Sequence, residues 1–158
     1  MAMESKQQLE KVPTHLGFIM DGNGRWARQH GKNRLEGHAA GAQTVRAVLN
    51  VCAEYGIHYL TLYAFSTENW VRPKQEVAGL MSLLKTFLKK DEHELHENQV
   101  RLRMTGRMGD LPAAVRAELE RVMVATRHYT KGHLILALSY GGRAEIVDAA
   151  RALAADIQ

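Results

Sequence analysis

The stretch HLGFIMDGNGRWARQHG, residues 15–31, joins a short apolar run to a glycine-rich turn, and this junction decides the fold. The apolar run at 15–20 predicts a buried strand that ends abruptly at Asp21. Gly-Asn-Gly at 22–24 then predicts a loop, and Arg25 follows it. A strand that leads through a polar loop toward a helical pattern is the start of a strand–helix unit.

The rest of the chain repeats this alternation. Predicted strands cover 58–65, 99–106 and 133–140, and predicted helices cover 37–56, 73–98, 112–128 and 144–157. Four consecutive strand–helix units predict an α/β fold with a parallel sheet and helices on both faces. The run at 133–140 is apolar enough to be a central strand. A polar start predicts a flexible tail over residues 1–13, followed by a single domain over 14–158.

Apolar residues recur at helical spacing in three of the predicted helices. This spacing predicts which face of each helix is buried. They are Val45, Val48, Leu49 and Cys52, then Val77, Leu80, Met81, Leu84, Phe87 and Leu88, then Val115, Leu119 and Val122. Asp110 is predicted to lie near the cap of the last of these helices. Cys52 is the only cysteine, so no intrachain disulfide can form, and a buried thiol in a cytoplasmic protein is expected.

Composition narrows the class of partner. The 158 residues are 46% hydrophobic and 24% charged, which is typical of a globular protein. A net charge of +4 is mild and suits an anionic substrate, and no basic run with interleaved aromatic residues indicates nucleic-acid binding. No signal-peptide pattern or bilayer-length apolar run occurs, so we expect a soluble protein with at most peripheral membrane contact.

Polar loops follow all four predicted strands. They are MDGNGRW (20–26), STENWVRP (66–73), TGRMGD (105–110) and YGGR (140–143). Ligands of parallel sheets bind beyond the carboxyl ends of the strands. The sequence therefore predicts one arginine-containing site at this edge.

The first of these loops has the chemistry of a phosphate site. Glycines allow close backbone approach, Arg25 can hold a phosphate with two parallel hydrogen bonds, and Arg34 and His38 add donors. A bare carboxylate would repel a phosphate, so Asp21 makes sense if Mg²⁺ lies between them. The alternative is that Asp21 caps the next helix and pairs with Arg25, and the residues alone leave both interpretations open.

Two competing motifs are weaker. GNGRWA at 22–27 matches a dinucleotide-binding fingerprint, but Glu36 precedes a helix, whereas that fold expects an acidic residue at the end of the second strand. His93 and His96 are three residues apart, whereas the zinc motif HExxH places its histidines four apart. We therefore expect neither a nicotinamide site nor a zinc site.

The second loop also offers diphosphate ligands. Ser66, Asn69 and Arg72 supply a hydroxyl, an amide and a guanidinium group within seven residues. In the structural alternative, Ser66 or Thr67 caps a turn and Trp70 fills a gap in the core.

Together the segments IMDGNGRWA, EGHAAGA, LYAFSTENWVRP and SYGGR, which occur in this order, closely resemble the cis-prenyltransferases, the bacterial isoprenyl transferases or undecaprenyl diphosphate synthases. The resemblance implies that an allylic diphosphate, such as farnesyl diphosphate, condenses with isopentenyl diphosphate and forms Z double bonds. The product would be a long Z-polyprenyl diphosphate, a lipid carrier for the cell wall. The resemblance further implies Mg²⁺ as cofactor and a homodimer for the full-length form. No D-D-x-x-D pair of the helical trans-type synthases occurs.

The resemblance also assigns residue roles. Asp21 is implied as metal ligand and catalytic residue, and Asn69 as the second catalytic residue. The implied substrate contacts are Gly22, Asn23, Gly24, Arg25, Trp26, Arg34, His38, Ser66, Thr67, Glu68, Trp70 and Arg72. A neutral amide is a weak base, so we expect Asn69 to orient the isopentenyl group while a diphosphate oxygen takes the proton. Ala64, Leu80, Leu84 and Leu88 are implied to line a tunnel for the growing chain.

Members of this family continue past the point that matches Gln158 here, with further arginines for isopentenyl diphosphate and a glutamate that helps to hold Mg²⁺. We therefore expect a truncated or amino-terminal portion, with a complete site for the allylic substrate and an incomplete site for the second. Weak or absent turnover by this chain alone is expected. The alternative is a non-catalytic subunit or inactive fragment that binds only the allylic diphosphate.

Overall fold

The computed structural model describes residues 11–156, so most of the predicted tail lies outside the described residues. The strands are β1 (His15–Ile19), β2 (Tyr59–Ser66), β3 (Val100–Thr105) and β4 (Gly132–Tyr140). The helices are α1 (Asn23–Gln29), α2 (Arg34–Glu54), α3 (Lys74–Lys90), α4 (Glu92–Glu97), α5 (Ala113–Ala125) and α6 (Gly142–Asp156). Short 3₁₀ helices cover Thr67–Val71 and Met108–Asp110.

All pairings in the sheet are parallel, and the strand order is β1-β2-β4-β3. The predicted α/β fold is confirmed, and β4 is central because it pairs with both β2 and β3. One register row aligns Leu16, Leu60, Leu134 and Leu102 across the four strands. The carboxyl ends of all strands consequently meet at one edge.

The core lies where these leucines meet the helices. Leu60, Leu102 and Leu134 are buried, and α2 and α5 add side chains such as Cys52 and Leu119. Every residue of the three predicted helical faces belongs to the core cluster or packs against it. Burial raises the pKa of the Cys52 thiol, as expected of a structural cysteine.

The helix predicted over 73–98 is in fact two helices. α3 ends at Lys90, and the buried Asp91 forms an ion pair with Arg46 of α2 before α4 begins. Leu88 and Leu95 are both buried on either side of the break, so the apolar pattern continues across it. Periodicity alone therefore could not reveal this interruption.

One further prediction was wrong. The segment after Asp21 is not only a loop, because Gly22 adopts a left-handed φ of 86° and α1 begins directly after it. α1 packs tightly on α2, and a Cβ on Gly37 would overlap the backbone oxygen of Asn23. Asp110 lies near the cap of α5, as predicted, because the N-cap is Pro112, two residues further along.

An ion pair, and no buried side chain, holds α6 against the loop that follows β3. The Arg107 guanidinium donates two hydrogen bonds to Asp148, at 2.8 and 3.0 Å, and no residue of α6 is buried. Ile146 and Leu153 are mostly exposed. Within residues 11–156, no helix combines the length and hydropathy needed to cross a bilayer.

Candidate functional site

A cationic cavity of about 370 Å³ lies at the carboxyl end of β1. This polar cavity is lined by Met20, Asp21, Gly22, Asn23, Gly24, Arg25, Arg28, Lys32, Asn33, Arg34, His38 and Arg72. Five of these side chains are arginine or lysine, whereas Asp21 is the single carboxylate in the lining. The concentration of guanidinium groups around a glycine-rich turn favours an anion of phosphate type.

Asp21 lies at the exposed rim of the polar cavity. Its Oδ1 accepts a hydrogen bond from the Gly22 backbone at 2.5 Å, and its Oδ2 lies 3.2 Å from Arg25 Nη2. The pairing with Arg25 is thus present, and 78% of the Asp21 side chain remains exposed. Residues 11–156 contain no group of three or more acidic, histidine or cysteine side chains able to hold a metal. A single exposed carboxylate, that of Asp21, fits a Mg²⁺ ion whose other ligands are phosphate oxygens and water.

Glu76 organises two of the arginines. Its nearly buried carboxylate lies 3.5 Å from Arg34 and 3.2 Å from Arg72, so one acidic side chain joins α2 to the end of the second loop. Glu76 does not itself line the polar cavity. It neutralises part of the positive charge and fixes both guanidinium groups at the cavity wall.

His38 and Asn23 lie at the inner end of the polar cavity. The Asn23 amide nitrogen lies 3.4 Å from His38 Nδ1. His38 Nε2 is buried and has no hydrogen-bond partner within residues 11–156. Burial, followed by the positive charge of Arg72, lowers the pKa of His38, so the ring is neutral at pH 7. A neutral imidazole with one free nitrogen can donate to or accept from a ligand.

An apolar cavity of about 110 Å³ adjoins the polar one. It is lined by Met20, Asn23, His38, Ala42, Val45, Leu62, Ala64, Phe65, Leu80, Met81, Leu83, Leu84, Phe87, Leu136 and Leu138. The predicted tunnel residues Ala64, Leu80 and Leu84 line this cavity, whereas Leu88 is buried in the core outside it. Met20, Asn23 and His38 line both cavities.

The second loop is mostly structural in this arrangement. The Ser66 backbone donates to Asn69 Oδ1 at 3.2 Å, and the Ser66 side chain accepts from the Asn69 backbone, which forms a capping box. Glu68 is exposed, and a hydrogen bond from its own backbone, followed by one from Ser66, lowers its pKa. A Cβ on Gly141 would lie 2.5 Å from Thr67 Oγ1, so these loops touch. Of the predicted residues in this loop, Arg72 reaches the polar cavity.

The two tryptophans lie outside the lining of the polar cavity. Trp70 packs edge-on against Phe65 at 4.8 Å and donates to the buried Ser139 at 2.9 Å, as in the structural alternative. Trp26 stacks on His30 at 4.2 Å on the surface of α1. Of the predicted residues, the structure therefore brings together those of 21–25 with Arg34, His38 and Arg72, and it leaves both tryptophans outside the lining.

Sequence reasoning missed four contributors, namely Arg28, Lys32, Asn33 and Glu76. Arg28 was detectable, because a helix beginning after Gly22 places Arg25 and Arg28 three residues apart on one face. Glu76 lies four residues after Arg72, the spacing of a helical ion pair. Both signals depended on assigning the local helices correctly.

Comparison with known proteins identifies the family of this chain. The sequence model of the undecaprenyl diphosphate synthase family of prenyltransferases matches residues 19–158. The chain is 46% identical over 153 residues to an isoprenyl transferase of Heliobacterium mobile, covering 97% of this chain and 59% of that relative. It is 47% identical over 150 residues to an isoprenyl transferase of Streptococcus mutans, covering 95% of this chain and 60% of that relative.

A solved structure extends the likeness to three dimensions. Lavandulyl diphosphate synthase from Lavandula x intermedia, in complex with dimethylallyl diphosphate, superposes with a TM-score of 0.87 at 33% identity. That likeness covers 91% of this chain and 62% of the lavender protein. The chain thus spans about three fifths of the length of the relatives it matches. With the family sequence and the family fold both present, the chain belongs to the undecaprenyl diphosphate synthase family of prenyltransferases.

Proposed function

We propose that this chain binds an allylic diphosphate and takes part in its condensation with isopentenyl diphosphate. The observation that carries the proposal is the junction of the two cavities at Asn23 and His38. A ligand with an anionic head and an apolar tail would place its diphosphate among the arginines and its chain among the leucines.

The head of the ligand would be held by this chain's own cations. Arg25, Arg34 and Arg72 can donate paired hydrogen bonds to phosphate oxygens, and the neutral His38 can donate one more. Asp21 would hold Mg²⁺ at the exposed rim. When bound, that ion would offset the charge of the departing diphosphate.

In the proposed reaction, the allylic carbon–oxygen bond breaks and its electron pair leaves with diphosphate. The isopentenyl double bond supplies the electrons of the new carbon–carbon bond, and loss of one proton restores a double bond. Asn69 Oδ1 already accepts a hydrogen bond from the Ser66 backbone. This supports an orienting role for Asn69, with a diphosphate oxygen as the proton acceptor.

The primer, the product, the oligomeric state and the location are proposed from membership of the family. We propose farnesyl diphosphate as primer and a long Z-polyprenyl diphosphate as product, made by a cytoplasmic homodimer that releases product at a membrane surface. A second candidate is a non-catalytic subunit or inactive fragment that binds only the allylic diphosphate. The observation that favours it is the coverage of about 59% of the curated relatives.

Calorimetric titration with farnesyl diphosphate tests the binding step. We expect Mg²⁺ to strengthen binding to the unaltered chain at least about tenfold relative to EDTA, a difference of ~1.4 kcal/mol. Asp21→Ala should remove this Mg²⁺ effect, whereas Asp156→Ala, at the exposed end of α6, should retain it. Equal binding of farnesol, which lacks the diphosphate, would contradict the proposal.

Turnover distinguishes the two candidates. Labelled isopentenyl diphosphate would be incubated with farnesyl diphosphate and Mg²⁺, and label extracted into organic solvent would be counted. Extractable label that disappears with Asp21→Ala supports the enzyme. Tight farnesyl diphosphate binding without any extractable label supports the binding-only candidate.

A further inference from the structure

Ser139 links two loops at the carboxyl edge of the sheet. It is fully buried at the end of β4, where its Oγ accepts a hydrogen bond from Trp70 Nε1 at 2.9 Å. The same hydroxyl donates to Asp110 Oδ2 at 2.6 Å. Trp70 belongs to the loop after β2 and Asp110 to the loop after β3, so one hydroxyl connects both to β4.

The backbone at this point is unusual for a serine. Ser139 has a φ of 46°, in the left-handed region that L-residues rarely adopt. Its carbonyl accepts from the Arg107 backbone at 3.3 Å. The neighbouring Gly106 has a φ of 100°, and a Cβ there would overlap the Leu138 oxygen. Non-glycine residues stay in such conformations when the surrounding structure over-determines them.

The Trp70–Ser139–Asp110 network contains more hydrogen bonds than the indole N–H of Trp70 needs. A buried Trp N–H needs one acceptor, which a backbone oxygen can supply. Here the acceptor is a hydroxyl whose own proton is directed to a carboxylate, and such charge-assisted bonds are short and directional. Asp110 therefore fixes the orientation in which Ser139 meets Trp70.

Trp70 in turn lies two residues before Arg72. The 3₁₀ helix Thr67–Val71 connects β2 to Arg72, which lines the polar cavity and pairs with Glu76. The beginning of this segment is fixed by the Ser66–Asn69 capping box, and its later part is held by Trp70.

We propose that Ser139 and Asp110 are positioning residues that hold Trp70 and thereby fix Arg72 for diphosphate binding. Neither side chain lines the polar cavity, so both act through the loop after β2. The proposal rests on the proposed function only in taking the polar cavity as the diphosphate site.

The test is calorimetric titration of the full 158-residue chain with inorganic pyrophosphate. Ser139→Gly removes the hydroxyl while accommodating the positive φ, and we expect it to weaken binding about fivefold to tenfold, ~1–1.4 kcal/mol. Ser139→Asn tolerates the same φ and retains a donor and an acceptor, so it should restore affinity to within about twofold. In an Arg72→Ala background, Ser139→Gly should not weaken pyrophosphate binding further, because the guanidinium group that Ser139 is proposed to position is absent.

A matched control separates positioning from general packing. Thr126 is another fully buried hydroxyl, which accepts from the Leu102 backbone at 3.0 Å and donates to Val122 O. Thr126→Val should lower the melting temperature without changing pyrophosphate affinity. If Ser139→Gly does not fold, Asp110→Asn perturbs the same network from an exposed residue, with an expected loss of about twofold to fivefold.

A ligand-free readout tests the geometry directly. With Trp26→Phe, Trp70 is the only tryptophan, and Ser139→Gly should increase its quenching by acrylamide. Wild-type affinity in Ser139→Gly, or an equal loss in the Arg72→Ala background, would overturn the positioning role. A wild-type chain that does not bind pyrophosphate would instead overturn the proposed function and this role with it, whatever Trp70 quenching shows.

Discussion

Gly41 of α2 lies directly against the side chain of Asn23 of α1, so that a Cβ at position 41 would be 2.5 Å from Asn23 Oδ1. Asn23 lines both cavities, and its amide also approaches His38. The absence of a side chain at position 41 thus sets how deeply Asn23 sits between the two cavities. Position 41, the second glycine of the EGHAAGA segment, therefore needs glycine because the Asn23 side chain lies so close, and not because of its backbone angle.

Gly41→Ala should therefore push Asn23 out of place. We expect the free energy of unfolding to fall by about 1–2 kcal/mol through overpacking, partly offset by the better helix propensity of alanine. Pyrophosphate affinity should fall about fivefold, the effect of one displaced hydrogen bond. Urea denaturation and calorimetric titration measure the two effects.

Gly79→Ala in α3 is the matched control. Its Cβ would meet the terminal methyl groups of Leu35, which is 39% exposed and can swing away. We expect stability to stay within about 1 kcal/mol of wild type and pyrophosphate affinity to be unchanged. Equal affinity losses in both variants would show that any added methyl group in these helices disturbs the site.

Arg28→Gln should weaken diphosphate binding through loss of charge. Arg28 lines the polar cavity from α1, and a charged hydrogen-bond partner there should be worth about fivefold to tenfold in pyrophosphate affinity at 0.05 M salt. The difference should shrink as NaCl rises to about 0.5 M, because salt screens exposed charges. Arg127→Gln, exposed just before β4 at the opposite edge, serves as control. Unchanged affinity at low salt would exclude Arg28 from the site.

Ala64→Leu should affect the tail of the ligand and not its head. Ala64 lines the apolar cavity, and a leucine would occupy much of its roughly 110 Å³. Farnesyl diphosphate affinity should fall at least about tenfold, whereas pyrophosphate affinity should match wild type. Titration with both ligands measures this difference. A parallel loss for pyrophosphate would indicate that the two cavities are not used separately.

The ion pair between Glu92 and Arg121 should make stability dependent on pH in the acidic range. Two hydrogen bonds from Arg121, at 2.9 and 2.6 Å, lower the pKa of Glu92 below its ordinary value of 4.5. A lowered folded-state pKa means that the pair stabilises the fold above pH 4.5, and that this stability is lost as pH falls through the folded-state pKa. The guanidinium is half exposed, so the contribution at pH 7 should be under about 1 kcal/mol.

Urea denaturation between pH 7 and pH 3 checks this. Glu92→Gln should be less stable than wild type at pH 7, and the two should converge near pH 3. Glu97→Gln, an exposed residue of the same helix, should follow the wild-type curve. A constant difference between wild type and Glu92→Gln at all pH values would assign the effect to packing.

The sequence predicted the regular elements well where apolar periodicity was strong. The strand predicted over 133–140 differs from β4 by one residue and is central, because a run such as HLILALSY can be buried on both sides. Cys52 and Leu119 lie in the core as their helical spacing indicates. Asp21, Arg25 and Arg72 were located by their motifs, and the structure brings all three to one cavity.

The tertiary structure decided the relationships between distant residues. The break at Asp91 depends on Arg46, the pairing of the cavity arginines depends on Glu76, and the place of Trp70 depends on Ser139, 69 residues further along. Hydrophobic periodicity and short motifs depend only on residues that are close together in the sequence. The sequence by itself therefore determined the order of elements, the edge that carries the site and the chemical character of that site. Which side chains face the ligand and which hold the loops in place was decided by packing, because hydrogen bonds and ion pairs across the sheet edge exist only once the strands are aligned.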